Sequence, residues 1–159
     1  MILAMVVSLV LVSSTILVHY EALRLVSIAL PRLTVVRPRA RIVFVMFAAF
    51  GAHTVEVYLY AIAYWLLEEH YGFGNVVLHG TPPQALDFVD LVYFSTITYT
   101  SVGFGDVVPL GGLRLITGVE ALNGLLMIAW SASYTFLCMQ DLWPLHVRRT
   151  KTPPGHHRR

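Results

Sequence analysis

The 159-residue sequence predicts an all-α integral membrane protein with three transmembrane helices and one shorter helix that enters the membrane without crossing it. Composition is the first reason: 57% of the residues are hydrophobic and 13% are charged, whereas a typical soluble domain is about 25% charged. The second reason is that three apolar stretches come close to or exceed the roughly 20 residues that a helix needs to cross the hydrocarbon core. These stretches are residues 1–18, 42–67 and 115–137.

This composition excludes a disordered or collagen-like chain and most soluble enzymes. The single cysteine, Cys138, excludes an intramolecular disulfide framework and a CxxC metal module. The sequence contains no P-loop, HExxH motif or nucleophile elbow. We therefore expect a protein that is not an enzyme.

The first stretch carries no charge, and the alternative to a membrane helix is a secretory signal. It lacks a basic n-region and an A-x-A cleavage site, which favours an uncleaved helix. The stretch 42–67 contains His53 and Glu56, three residues apart and hence on one helix face. Two interpretations are open: a proton-sensitive pair, or a histidine bonded to a neighbouring helix beside a protonated or paired glutamate. The second is favoured, because charged groups inside a span usually face the protein interior.

Basic residues are concentrated on one side of the three-span arrangement. Ten of the eleven Lys and Arg residues lie between residues 20 and 41 or after residue 139, and Arg114 is the exception. Because cytoplasmic loops carry excess Lys and Arg, the N-terminus is predicted outside and the C-terminus in the cytoplasm of a multi-pass cell-membrane protein. Such arginines also contact anionic lipid, so lipid rather than nucleic acid is the expected partner.

Residues 68–114 contain the short helix. Residues 68–86 are rich in Gly, Pro and polar residues and predict an exposed outer loop. Asp87 is a candidate N-cap for residues 88–99, which are apolar or carry hydroxyls. Twelve helical residues reach roughly 18 Å, too short to span the membrane. A re-entrant helix over 87–99 is predicted, and a β-strand outside the membrane is the alternative.

The following residues favour the helix. Residues 94–109 read FSTITYTSVGFGDVVP, which resembles the pore signature of potassium channels, T-x-x-T-x-G-[YF]-G-D. Residues 112–136 also resemble the inner helix of these channels, with Gly124 at the position of a hinge glycine. The resemblance covers residues 88–139 and does not include the first 40 residues.

The resemblance implies a tetrameric ion-channel pore fold made of four identical subunits. The predicted pore domain, 42–139, comprises an outer helix (42–67), the outer loop (68–86), a pore helix (87–99), a selectivity filter (100–106) and an inner helix (112–139). It follows an N-terminal helix with a basic cytoplasmic loop (1–41) and precedes a basic tail (140–159). The implied function is passive conduction of K⁺, with no cofactor other than the permeant ion.

The filter residues have a physical rationale. Backbone carbonyls in such a filter replace the hydration shell of K⁺, and aiming successive carbonyls inwards requires conformations that residues with a Cβ resist. Gly103 and Gly105 supply that freedom. The side chains of Val102 and Phe104 are expected to point away from the pore and pack within the protein. The expected ion-binding residues are Thr100, Ser101, Val102, Gly103, Phe104 and Gly105, with K⁺ held by Ser101 to Phe104.

A second GFG, at residues 72–74, is an internal control. It follows charged residues directly and lacks the short apolar helix and the threonines that precede the first. A Gly-x-Gly pair alone is weak evidence for a filter, so we interpret residues 71–75 as loop.

The chain departs from the family pattern at four positions. Ser101 replaces threonine and loses the methyl group that fixes the rotamer. Phe104 replaces the commoner tyrosine, and Tyr93 and Phe94 stand where relatives often have tryptophan. These changes predict an apolar cuff around the filter, with no stranded polar group. A weakly selective monovalent cation channel is therefore one alternative function, and a non-conducting accessory membrane protein is another.

Several polar or small residues are expected to support the filter. Asp106, at the outer mouth, is expected to cap the next loop, pair with Arg114 or attract cations; residues 68–114 contain five acids and one Arg, a net charge of −4. Glu120 is expected to bond behind the filter, to hydroxyls of the re-entrant helix. The remaining supporting residues are Asn123, Gly124, Glu56 and His53.

Overall fold

The computed structural model describes residues 1–33, 35–80 and 86–142. Three long helices, one short helix and one two-stranded sheet follow in the order α1, α2, β1, α3, β2, α4. Their bounds are α1 Ile2–Ala29, α2 Pro38–Tyr71, β1 Val76–Leu78, α3 Phe88–Tyr99, β2 Val107–Pro109 and α4 Leu113–Leu142, with a 3₁₀ turn at Leu30–Arg32 after α1. Except for residues 140–142, the predicted basic tail lies outside the described residues.

The three long helices are long and apolar enough to cross a membrane. Large apolar side chains are exposed along all three, including Leu9 on α1, Phe47 on α2 and Leu126 on α4. Contiguous apolar surface of this kind is unfavourable in water and favourable in lipid. The chain is therefore a membrane protein, mostly helical, and compatible with a membrane ion-channel fold.

All three of these helices are longer than their apolar stretches indicate, and α1 and α2 exceed them most clearly. Helix α1 continues through its polar end to Ala29, where an ion pair between Arg24 and Glu21, 2.7 Å apart and three residues apart in sequence, lies on its surface. Residues 38–41 were predicted to belong to the basic loop, but they are the first residues of α2. Proline suits the first position of a helix, because the amide hydrogen that it lacks would have no partner within the helix there. Helix α2 ends at Tyr71, where Gly72 adopts the left-handed C-cap conformation (φ 53°).

The expectation that residues 68–86 form only an exposed loop is wrong in two of its described parts. Residues 68–71 are the last residues of α2, and Val76 to Leu78 form β1. Strand β1 pairs antiparallel with β2, with Val76 opposite Pro109 and Leu78 opposite Val107. Val76 is fully buried. The sheet thus joins the chain before α3 to the chain after the 100–106 loop.

Residues 88–99 form a helix, as predicted, and not a strand. Asp87 is the N-cap: its carboxylate accepts from the Asp90 amide at 2.9 Å, and the Asp90 carboxylate accepts from the Asp87 amide at 3.3 Å. This reciprocal pair is a capping box, which satisfies two otherwise unpaired amides.

Helix α3 packs against both α2 and α4. The main hydrophobic core combines residues from all four helices and both strands, with Tyr60, Tyr64, Leu91, Phe94, Leu113 and Ile116 as its largest members. The ring of Phe94 meets that of Tyr64 edge-on, with centroids 5.3 Å apart.

Helix α4 approaches the end of α3 most closely at Gly124. A Cβ built on Gly124 would clash with the backbone carbonyl of Tyr99, the last residue of α3. The glycine is thus required by packing, independently of the hinge role that the sequence suggested. Gly118, six residues earlier on α4, has open space at its Cβ position.

We expect Gly124→Ala to lower the free energy of unfolding by about 1–3 kcal/mol, because the added methyl group must displace backbone. Gly118→Ala is the matched control and should be neutral or slightly stabilising, since alanine favours the helix. Denaturation of both variants in the same detergent, followed by circular dichroism, measures the difference. Equal stability of the two would contradict the close contact.

Candidate functional site

The 100–106 loop follows α3 directly and has an unusual backbone. Ser101, Gly103 and Gly105 have positive φ angles of 56°, 52° and 84°, whereas Val102 and Phe104 between them do not. Because φ changes sign from one residue to the next, successive backbone groups of one kind can lie on the same side of the chain, and the amides of Ser101, Val102 and Gly103 are already bonded to carbonyls of α3. The loop can therefore present a row of carbonyl oxygens.

Ser101 is the one described residue other than glycine with a positive φ, a conformation that costs a residue with a Cβ roughly 1–2 kcal/mol. Three backbone bonds hold this turn against the end of α3. The Ser101 amide donates to the Thr98 carbonyl at 2.8 Å, and the next two amides donate to the Ile97 carbonyl at 3.0 and 3.1 Å. From the sequence we expected this backbone conformation only at Gly103 and Gly105. Ser101 could have been recognised as well, because it precedes Gly103 by the same two positions that separate the glycines.

Val102 and Phe104 point away from the rest of the chain. Phe104 is 71% exposed and Val102 is 56% exposed, although we expected both to pack within the protein. The single chain therefore does not supply this packing. Exposed apolar side chains around a defined loop are typical of surfaces covered by a partner.

Asp106 ties the end of the loop to α3 and to β1. Its carboxylate accepts from the Tyr93 hydroxyl at 2.8 Å and from the Val107 amide at 3.1 Å, and its carbonyl accepts from the His79 amide at 2.7 Å. The bond to the carboxylate raises the pKa of Tyr93. Among the described residues, no ion pair joins Asp106 to Arg114, which was one of its expected roles.

The predicted apolar cuff is only partly apolar. Tyr93 forms a polar bond to Asp106, while Phe94 lies in the core against Tyr64. The reason is the helical period: neighbouring residues on α3 point about 100° apart, so one faces the loop and the other the core.

Behind α3, Glu120 of α4 is fully buried and bonded on both oxygens. The Ser95 hydroxyl of α3 lies 2.5 Å from one of them, and the Tyr64 hydroxyl of α2 donates to the other. The Ser95 hydroxyl also lies 2.9 Å from the Val57 carbonyl. This is the contact with a hydroxyl of the short helix that the position of Glu120 predicted, and it joins α2, α3 and α4.

A second buried carboxylate, Glu56 of α2, holds the last residue of α3. The Tyr99 hydroxyl donates to it, and His53 Nδ1 lies 2.9 Å from the same hydroxyl and 3.3 Å from the carboxylate. On its other oxygen, Glu56 is 2.9 Å from Nδ1 of His19, a fully buried residue of α1. Sequence analysis missed His19 because the first apolar stretch ends one residue before it.

Asn123 is a second residue of α4, after Glu120, that forms polar contacts with other helices. Its amide nitrogen donates to the Thr15 hydroxyl of α1 at 2.8 Å and to the Tyr60 hydroxyl of α2 at 3.3 Å. Ser131, eight residues further along α4, forms a hydrogen bond between its hydroxyl and His19 Nε2 at 3.1 Å. These polar residues of the membrane helices thus bond one another, and Glu56 and Glu120 attach α3 to the neighbouring helices.

We expect Ser95→Ala to lower the free energy of unfolding by about 1–3 kcal/mol, because it removes a bond from a buried carboxylate. The matched control is Ser13→Ala, since Ser13 is exposed and its hydroxyl donates to the Leu9 carbonyl of its own helix. The control should change stability by no more than about 0.5 kcal/mol. Chemical denaturation in one detergent compares them, and equal effects would refute the structural role of the Ser95 bond.

Comparison with known proteins identifies the chain. A family model described as ion channel matches residues 52–141, which is more than half of the chain and includes α3, the 100–106 loop and α4. No curated protein and no solved structure shows significant similarity. With its three membrane helices and the matched segment around the loop, the chain belongs to the ion-channel family.

Proposed function

We propose that this ion-channel subunit conducts K⁺ selectively and passively, through a pore formed by four copies of the chain. The observation that carries the proposal is the alternating backbone of Ser101, Gly103 and Gly105 at the end of a short helix packed against α2 and α4. In the proposed pore, α3 is the re-entrant pore helix and the 100–106 loop is the selectivity filter.

Conduction would depend on carbonyl oxygens from Ser101 to Phe104 replacing the water around a K⁺ ion. The Ser101 hydroxyl adds a further oxygen at the inner end. The hydroxyl of Thr100 donates to the Thr96 carbonyl at 2.8 Å, so it caps the helix. The C-terminus of α3 carries about half a negative charge, which stabilises a cation entering from that side.

The need for several copies follows from the exposed side chains. One chain supplies one row of carbonyls, and a pore needs rows around an axis. Val102 and Phe104 are exposed in the single chain, and a neighbouring copy would cover them. Acidic residues of the 68–114 segment would then be repeated around the mouth, and such a field concentrates cations.

A weakly selective monovalent cation channel is the second candidate. It is favoured by one feature: Phe104 has no hydroxyl to bond a neighbouring residue, so the filter is held by fewer polar contacts than a tyrosine would allow. The Tyr93–Asp106 bond is the polar support described at its outer end.

We expect Gly103→Ala to abolish K⁺ flux from liposomes containing the purified protein, because alanine resists φ of 52°. Gly72→Ala is a matched control. Gly72 has φ of 53° and equally open surroundings, but it lies at the end of α2 in the second GFG. The control should retain flux. Loss of flux in both variants, or in neither, would contradict the assignment of the filter.

Selectivity is tested separately by recording from planar bilayers under opposed K⁺ and Na⁺ gradients. The proposal predicts a reversal potential close to that of K⁺, because carbonyl rings replace the hydration of K⁺ better than that of Na⁺. A reversal potential near zero would instead support the weakly selective channel. No current under any gradient would refute both and favour an accessory protein.

A further inference from the structure

Helices α1 and α2 bring together three side chains that are common metal ligands. His19, His53 and Glu56 each offer one ligand atom, and these atoms all lie within 4.8 Å of one another. His19 Nδ1 is 2.9 Å from one carboxylate oxygen of Glu56, and His53 Nδ1 is 3.3 Å from the other. The Tyr99 hydroxyl bonds both Glu56 and His53. We call these four residues the His–Glu cluster.

The donor set and spacing fit a divalent transition metal. Two imidazole nitrogens and one carboxylate oxygen are ligands typical of Zn²⁺, which prefers four ligands in a tetrahedron. With bonds of about 2.0–2.1 Å, neighbouring ligand atoms of a tetrahedral site are about 3.4 Å apart. The observed separations of 2.9 and 3.3 Å go to different oxygens of Glu56, and the three ligand atoms lie within 4.8 Å of one another. Closing them around one ion therefore requires side-chain movements on the order of 1 Å. The Tyr99 oxygen would occupy the fourth position.

An outer contact orients the most buried ligand. To bind a metal through Nδ1, a histidine must carry its ring proton on Nε2, and that proton is normally held by an acceptor nearby. The Ser131 hydroxyl lies 3.1 Å from His19 Nε2 and can accept that hydrogen bond. The Trp130 ring also packs beside the His19 ring, with centroids 5.3 Å apart. The ring of His19 is thus held with Nδ1 towards Glu56.

An ion can reach the His–Glu cluster from one side. His19 and Glu56 are fully buried, but the side chain of His53 is one-fifth exposed. His53 and Tyr99 line an open cavity of about 360 Å³ between α2, α3 and α4. The carboxylate of Glu56 opposes part of the charge of a divalent ion at this depth, where an uncompensated charge is costly.

We propose that His19, His53 and Glu56 form a metal-binding site for a divalent transition-metal ion of the Zn²⁺ type within the membrane region. The site would join α1 to α2 and, through Tyr99, to the end of α3 next to the 100–106 loop. Binding of the ion does not depend on the proposed K⁺ selectivity, and its test measures binding directly.

The test uses Co²⁺, because Zn²⁺ has a filled d shell and gives no visible spectrum. The full chain is purified without a tag and with His146→Asn, His156→Asn and His157→Asn, since the tail histidines could themselves bind metal. We expect a single Co²⁺ per chain, a visible absorption typical of tetrahedral Co²⁺, and its loss when Zn²⁺ is added. No bound Co²⁺, or an octahedral spectrum, would overturn the site.

Variants in the same background locate the ion. His53→Gln and Glu56→Gln should each weaken Co²⁺ binding by at least ~10-fold, and so should Ser131→Ala, which leaves all ligands in place. His79→Gln is the control, because His79 is exposed in the outer loop and its loss should leave binding unchanged. Glu56→Gln risks misfolding, but His53 is partly exposed and Ser131→Ala is a small change. Unaltered affinity in both of these variants would refute the proposal.

Discussion

The short helix α3 depends on two buried carboxylates that hold it from opposite helices. A helix of twelve residues is only marginally stable on its own, and its capping box secures only the first turn. Glu120 of α4 bonds Ser95 in the middle of α3, and Glu56 of α2 bonds Tyr99 at its end. Because the 100–106 loop starts at the next residue, its position is set by the same two carboxylates.

Such carboxylates are expensive inside a membrane protein unless every oxygen has a partner. Both oxygens of Glu56 and of Glu120 have one, and the partners come from different helices. Replacing a buried charged group together with all of its partners by well-packed apolar side chains is often neutral for stability, whereas removing one partner alone is costly. The value of these carboxylates is therefore in specifying one arrangement: hydrogen bonds are directional, and they fix α3 in register where apolar packing alone would allow it to slide.

Helix α1 belongs to this arrangement although the family match begins after it. Thr15 bonds Asn123 of α4, and His19 is bonded to Glu56 and Ser131. Ala4 and Leu11 of α1 lie in the main core with residues of α2, α3 and α4. Helix α1 is thus connected to the end of α3 through a single intervening residue, Glu56. A change at α1 has a direct physical route to the 100–106 loop.

Sequence alone determined the features that depend on local chemistry. The three membrane helices follow from long apolar stretches, the start of α3 from Asp87, and the glycine-dependent backbone of the loop from Gly103 and Gly105. Each of these requires only that neighbouring residues have the right polarity or conformational freedom, which can be read along the chain. The predicted helix ends were less accurate than the predicted helices themselves, because polar residues such as His19 and Glu68 continue the helices beyond their apolar parts.

Only the tertiary structure decided which residues meet. The pairing of β1 with β2, the bond from His19 to Glu56 across 37 positions and that from Ser95 to Glu120 across 25 join segments that no local pattern connects. Likewise, Gly124 carries no signal of its contact with Tyr99, and neighbouring Tyr93 and Phe94 divide between loop and core. These outcomes depend on how the helices rotate and pack together, and that geometry arises from all contacts at once.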